Sequence, residues 1–313
     1  MSLHPFISAM LVQLAGLPTL SAGSPADARA LVAAGRARLG PGPDMHTVQA
    51  LSLPGRDGPV PARLLVPQGA VAGTIVYLHG GGWVVGTLDD YDSYMRALAS
   101  RTGMAVLGVD YRLAPEHPFP AGLHDAQDAL DAVLARAVPG LPPGPVVVMG
   151  DSAGGNLATV CCARLADPAA VALQVLYYPV TDSDLSRPSY QAHGTGLPLT
   201  AADMAWFLGQ YAPAQAWADP AISPLRGPMG RVPAVIVTAE YDVLADEGAA
   251  YAAALAAAGT PVQHRCLPGV THGVIRLHNL FDVADAELTA IAHDIHTALA
   301  AASTTASQGA QSR

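Results

Sequence analysis

The sequence predicts an α/β fold: a mostly parallel central sheet with helices on both faces. Three observations carry that prediction. Short apolar runs of strand length recur from Val60 to Leu267. Amphipathic segments of about ten to fifteen residues separate them, the spacing that parallel strands need for their crossover connections. Of the 313 residues, 51% are hydrophobic and 13% charged, which supplies apolar material for one large core and rules out a disordered chain.

Taken in order, the first 45 residues are helical in pattern and end at the breaker cluster Gly40-Pro41-Gly42-Pro43, so they read as an appended lid. Their apolar stretch from Phe6 to Leu20 contains Gln13 and has no Lys or Arg before it, so it reads as an amphipathic helix rather than an export leader. Val60 to Val66 and Thr74 to Leu78 read as strands. A helix around Tyr91 to Ser100, the strand Met104 to Val109, a helix from Ala121 to Ala137 and the strand Pro145 to Met149 follow. Next come a helix from Ala153 to Ala166 and the strand Val171 to Tyr177. The rhythm breaks between Asp182 and Pro228, where Thr200-Ala-Ala-Asp203 has the pattern of a helix cap opening an inserted helix that ends near Tyr211. Ala234 to Thr238, the helix Ala245 to Ala258, the strand Val262 to Leu267 and a last helix from Val283 to Ala300 restore it. The tail from Ser303 to Arg313 is polar and is expected to be mobile.

Charge and composition exclude several function classes. The net charge is -9 and no basic stretch is long enough to neutralise a row of phosphates, so no nucleic-acid partner is expected. All 16 basic residues are Arg. Without Lys there is no Schiff-base chemistry, no pyridoxal-phosphate attachment, no phosphate-loop lysine and no Ser-Lys dyad. Cys161, Cys162 and Cys266 are too few and too unevenly spaced for a disulfide framework, which fits a reducing cytoplasm. No apolar run reaches membrane-spanning length, so no membrane association is expected. The histidines show no metal-ligand spacing, and no metal site is expected.

The sharpest motif is Gly150-Asp151-Ser152-Ala153-Gly154, between the strand ending at Met149 and the helix opening at Ala153. A serine on so tight a strand-to-helix turn is strained and lifted clear of the sheet, at the positive end of a helix. His79-Gly80-Gly81-Gly82-Trp83 directly follows the strand Thr74 to Leu78. Three glycines make physical sense where backbone N–H groups must crowd against a ligand oxygen, as an oxyanion requires.

With Asp110-Tyr-Arg-Leu-Ala-Pro-Glu116, Glu240-Tyr-Asp-Val-Leu-Ala-Asp246 and the His272-Gly273 pair added, nearly the whole chain resembles the hormone-sensitive-lipase-like (bacterial family IV) carboxylesterases of the α/β-hydrolase superfamily. The resemblance implies an α/β-hydrolase fold with a small helical cap. The cap would be built from residues 1–45 and 183–228 over a core of 46–182 and 229–301, with the mobile tail at 302–313. It also implies hydrolysis of a small-molecule carboxylic ester, here of short to medium acyl chain, through an acyl-enzyme and without a cofactor. A homodimer paired through an edge strand is a further implication.

In such a fold the nucleophile, acid and base follow in that chain order. Ser152 is the expected nucleophile and His272 the base. The family pattern puts the acid at Asp242, with Asp246 one helical turn later as its rival. The N–H groups of Gly81, Gly82 and Ala153 are the expected oxyanion donors. Trp83, Met204, Trp206, Phe207 and Tyr211 are the expected pocket walls. Arg112 and Glu116 are expected to pair with each other and brace the glycine loop. Val243 and Val274 stand where the family usually has Pro and an aromatic, which bears on pocket shape rather than proton transfer. The same triad also serves serine peptidases and acyltransferases, and a receptor on a hydrolase fold is a third reading, disfavoured because all three triad positions are filled.

Overall fold

The computed structural model describes residues 2–311, with side chains as far as Ala301. Among the described residues eight strands form one sheet in the order β1-β2-β4-β3-β5-β6-β7-β8. Strand β1 (Thr47–Leu53) and β2 (Val60–Val66) form an antiparallel hairpin, and β2 runs antiparallel to β4 (Ala105–Val109). From β4 onward the pairing is parallel through β3 (Thr74–Leu78), β5 (Val146–Asp151), β6 (Leu173–Tyr177), β7 (Ala234–Tyr241) and β8 (Val262–Thr271).

Side chains alternate along each strand and feed two cores. Ile75, Tyr77, Val147, Met149, Val235 and Val237 point to one face, where α3 (Leu88–Thr102) and α9 (Asp282–Gln311) cover them. Val76, Leu78, Val146, Val148, Ala234 and Ile236 point to the other, with α4 (Ala121–Leu134), α5 (Ala153–Ala163) and α8 (Ala245–Ala257). A sheet buried on both faces is why its strands read as continuous apolar runs rather than as alternating ones.

Strand β1 falls where the sequence reading had only a breaker-rich approach to the first strand. Its burial alternates between half-buried and exposed up to Ser52, with only Leu53 fully buried, so no apolar run marks it. Strand β8 continues four residues past the expected Leu267 and carries Pro268, which an edge strand tolerates. Helix α9 runs on to Gln311 instead of stopping near Ala300, since no proline interrupts the Ala, Ser and Thr residues that follow. The expectation of a mobile tail falls on residues whose side chains, and at 312 and 313 whose backbone, lie outside the described residues.

The N-terminal segment divides in two. Helix α1 (Pro5–Leu14) packs away from the cleft: Ile7 is fully buried in the α3–α9 core, and the Phe6 ring stacks on Phe281 at 4.6 Å. Helix α2 (Pro25–Ala34), opened by a Ser24–Asp27 capping box, buries Ala28 in the core on the α4–α5–α8 side. The insertion contains α6 (Pro188–His193), which the sequence reading passed over, and α7 (Ala201–Tyr211) with the Thr200–Asp203 capping box in place. Asp203 also reaches outside its own helix, its Oδ1 accepting the Ser21 amide at 2.8 Å and tying the insertion to the N-terminal segment. Among the described residues no helix is long and apolar enough to cross a membrane.

Candidate active site

Strand β5 runs through Gly150 and Asp151, so the chain turns from strand to helix at Ser152 itself. Ser152 sits at φ 54°, ψ -119°, a conformation side-chain-bearing residues rarely adopt. The fold holds it there by three backbone bonds: Ser152 N–H donates to Tyr177 O at 2.8 Å, and Ser152 O accepts from Asn156 at 3.0 Å and Val180 at 3.2 Å. Strain persists only where the surroundings over-determine it, as here. Gly154 is required by close approach: a Cβ there would fall 2.0 Å from the Leu78 carbonyl oxygen.

His272 leaves the end of β8 and Asp242 the end of β7, two adjacent parallel strands. Their side chains meet, with His272 Nδ1 at 2.7 Å from Asp242 Oδ2. Asp242 is fully buried and its other oxygen accepts the Leu244 amide at 3.0 Å, which fixes the carboxylate plane. The Tyr178 ring lies under the imidazole, centroid to centroid 4.2 Å. Asp246, the rival acid, instead accepts the Ser189 amide at 2.8 Å. Ser152 and His272 line the same cavity, of about 160 Å³.

The glycine loop forms the facing wall. The amides of Gly81, Gly82 and Ala153 have no hydrogen-bond partner among the described residues, while the neighbouring Gly80 amide is taken by Asp151 Oδ1 at 2.9 Å. Asp151 also accepts from Tyr77 Oη at 2.7 Å and from Tyr91 Oη at 3.0 Å. Burial pushes both phenols' pKa well above the ordinary value, with the Asp151 charge adding to it, so they stay protonated donors. A buried carboxylate with three donors thus ties the elbow to the first glycine of the loop. His79, at the start of the loop, is buried and stacked on Tyr111 at 4.5 Å, and burial lowers its pKa and keeps it neutral.

The structure departs from the expected pocket. Met204 and Phe207 line the cavity, one helical turn apart on α7. Trp83 and Tyr211 do not: they stack on each other at 4.3 Å, nearly parallel, behind the wall. Trp206 points around the helix and packs its edge on Phe207. Gly82, at φ 57°, must be glycine because a Cβ would lie 2.2 Å from the Phe207 ring. The remaining walls, Leu20, Val32, Pro198, Leu199 and Arg276 among them, escaped the sequence reading. The sequence placed the N-terminal segment and the insertion near the site but gave no signal for which of their residues face inward.

The expected Arg112–Glu116 brace is also absent. Arg112 binds Asp125 at 2.8 Å and Asp57 at 3.3 Å, while Glu116 binds Arg29 of α2. Arg29 grips Glu116 through both terminal nitrogens, at 2.8 and 2.7 Å, and donates to the carbonyls of Val84 at 2.8 Å and Ala114 at 2.9 Å. Fork geometry explains the choice: one guanidinium reaches a carboxylate and two carbonyls together, so the loop is braced from the N-terminal segment. Arg29 holds the Glu116 carboxyl down at about 2.

Cys161 and Cys162 are buried on α5, and burial pushes the Cys161 thiol up to about 12, which makes it no nucleophile. His278 is buried against Tyr94, and His296 contacts the Thr102 carbonyl. Among the described residues no group of His, Cys, Asp and Glu could hold a metal ion.

A family model described as alpha/beta hydrolase fold matches residues 75–276. Among curated proteins the chain is 43% identical over 253 residues to an ethyl acetate hydrolase of Pseudomonas putida, covering 77% of this chain and 80% of that one. It is likewise 43% identical over 254 residues to the carboxylic ester hydrolase LipN of Mycobacterium tuberculosis, covering 77% and 68%. Among solved structures, a hyperthermophilic esterase from the archaeon Pyrobaculum calidifontis superposes with a TM-score of 0.89 at 35% identity, covering 95% of this chain and 99% of that one.

Proposed function

This chain belongs to the alpha/beta hydrolase fold family, and from that membership we propose how it works: Ser152, His272 and Asp242 cleave a carboxylic ester through an acyl-enzyme. The chain is a carboxylic ester hydrolase. In the first half-reaction Ser152 Oγ attacks the ester carbonyl carbon while His272 Nε2 takes its proton, and Asp242, bound to Nδ1, fixes the tautomer and stabilises the imidazolium. The carbonyl oxygen becomes an oxyanion that the amides of Gly81, Gly82 and Ala153 receive. Protonated His272 then passes its proton to the departing alkoxide, leaving acyl-Ser152. A water, deprotonated by the same histidine, attacks the acyl carbon, and the proton returns to Ser152 as the carboxylic acid leaves.

One juxtaposition carries this reading: a strained serine, a carboxylate-held imidazole and the unpartnered amides of Gly81 and Gly82 around one cavity, with the unpartnered Ala153 amide next to the serine. The N-terminal residues Leu20 and Val32 and the insertion residues Pro198, Leu199, Met204 and Phe207 serve as the cap that excludes water. The small, largely apolar space under them suits short to medium acyl chains. Ser152→Ala is expected to lower turnover of a short aryl ester by at least about 10³-fold with an unchanged melting curve. Near-normal turnover would remove Ser152 from the chemistry. Three free cysteines suit a reducing cytoplasm. The edge strand β8, with Gln263, His264 and Cys266 exposed, is the surface through which two copies would pair; a monomer mass in light scattering would overturn that assembly.

A further inference from the structure

Arg276 is a cation of the cavity wall with no anion of its own. It stands four residues after His272, on the single turn Val274–Leu277, and lines the cavity together with Ser152 and Gly80 to Gly82. Among the described residues its guanidinium makes no hydrogen bond and no ion pair; it lies over the Tyr91 ring, 5.1 Å from the centroid. Many other arginines are matched to carboxylates, as Arg112, Arg187 and Arg265 show at 2.8, 2.5 and 2.6 Å. The carboxylates whose charge reaches Arg276 are Asp151 and Asp90. Both are already occupied: Asp151 by Tyr77, Gly80 and Tyr91, and Asp90 by Arg36 and Thr87.

A half-buried guanidinium is costly to desolvate without acceptors, and its forked donors fit a carboxylate. Much of the cavity wall is apolar, Leu20, Val32, Val85, Pro198 and Leu199 among it, and its carboxylate, Asp151, already accepts three donors. We infer that the preferred ester carries a second, anionic carboxylate, bound by Arg276 while the scissile carbonyl sits between Ser152 and the glycine amides. The inference rests on the ester-hydrolase reading of the same cavity and narrows it to half-esters of dicarboxylic acids or esters of hydroxy- or phenol-carboxylic acids, two sources of one recognised group.

Two matched pairs separate those sources. On the acyl side, 4-nitrophenyl hydrogen glutarate is compared with 4-nitrophenyl pentanoate; on the alcohol side, 4-acetoxybenzoate with 4-acetoxybenzamide. The wild-type chain is expected to show a higher kcat/KM for the anion in one pair. Arg276→Gln is expected to lower that anion-to-neutral ratio by about 10- to 100-fold, the loss typical of a hydrogen bond to a charged group. Arg276→Lys, which keeps the charge without the fork, should retain part of the ratio. The wild-type preference should also shrink as ionic strength rises, a reading that needs no variant to fold. No wild-type preference in either pair, or a ratio that Arg276→Gln leaves in place, overturns the inference. Failure of the underlying reading shows differently, as undiminished turnover of the neutral esters by Ser152→Ala.

Discussion

Removing the Asp151 carboxylate tests whether the glycine loop is held in place by the residue that precedes the nucleophile. Asp151 is 3% exposed and receives the Tyr77 hydroxyl, the Gly80 amide and the Tyr91 hydroxyl at 2.7, 2.9 and 3.0 Å. In Asp151→Ala those three donors stay buried with no acceptor. An unsatisfied buried donor costs about 1–3 kcal/mol, and allowing for a water entering the vacated space the sum is about 3–6 kcal/mol. That is a large share of a typical 5–15 kcal/mol of stability, and the melting temperature should fall on the order of 10 °C. The kinetic effect follows from geometry. With Gly80 untethered, the Gly81 and Gly82 amides lose their fixed aim, and misplacing an oxyanion donor typically costs about 10²-fold in kcat. Asp151→Asn separates bonds from charge. The amide oxygen still accepts from Gly80 and Tyr77, and the amide nitrogen can donate to Tyr91 Oη, so Asn should lose far less than Ala in both assays. Thermal melts and steady-state kinetics on a short aryl ester decide it. An Ala variant with native melting and native kcat refutes the tether; Asn as damaging as Ala shows that the charge, not the three bonds, is what the fold uses.

Arg29→Met should detach the N-terminal segment from the loop. Losing charge-assisted bonds to Glu116, Val84 O and Ala114 O on a one-third-exposed side chain should cost about 1–2 kcal/mol and raise KM for a short ester, because Leu20 and Val32 reach the cavity from this segment. A lower melting temperature with KM unmoved would show that the brace does not shape the site. Glu247 sets a pH dependence of stability. It is fully buried, accepts the Thr181 and Asp182 amides at 2.7 and 3.2 Å, and burial lifts its carboxyl from the ordinary 4.5 to about 8. Between those values the unfolded chain has released the proton and the folded chain still holds it, so the unfolded state gains as pH rises and stability falls through the window. Glu247→Gln keeps an acceptor for both amides and does not titrate. Its melting temperature should therefore decline less than that of the wild type from pH 5 to pH 8, a difference on the order of a few kcal/mol at the upper end. Parallel curves for the two proteins would rule out the buried proton.

The sheet was legible because burial on both faces leaves an unbroken apolar run, as Thr74–Leu78 and Val146 to Met149 show, and because helices of regular length separate such runs. Its margins were not. Strand β1 is half-buried or exposed at every residue before Leu53, so the apolar run that a buried strand shows is missing, and its place is fixed by pairing with β2 from Thr47↔Val66 to Leu53↔Val60. The ends of β7 and β8 lack that signal for a related reason. Past Thr238 and Leu267 the residues turn polar or breaker-like, yet the two strands still pair, Tyr241 against Thr271 after an irregularity, and that extension delivers Asp242 and His272 side by side.

The site divides along the same line between what local sequence encodes and what only tertiary contact decides. Ser152 and the glycine loop were readable because strain and close backbone approach demand particular residues at fixed offsets: Gly154 has no room for a Cβ against Leu78 O. Side chains that meet across long loops have no such offset. Arg112 and Glu116 are four apart and of opposite sign, which invites a local pair; the fold instead brings Arg29 from 87 residues away, because only that guanidinium also reaches the carbonyls of Val84 and Ala114. The aromatic residues failed as pocket markers by the same logic. Trp83 and Tyr211 are large enough to fill space behind the wall and were drawn into each other, leaving the cavity face to Met204 and Phe207 and to Arg276. Where neighbours along the chain set the constraint, residue type suffices; where distant segments set it, the decisive property is which partner remains unsatisfied once everything else has paired. By that measure Arg276 is the residue of this cavity with most left to bind.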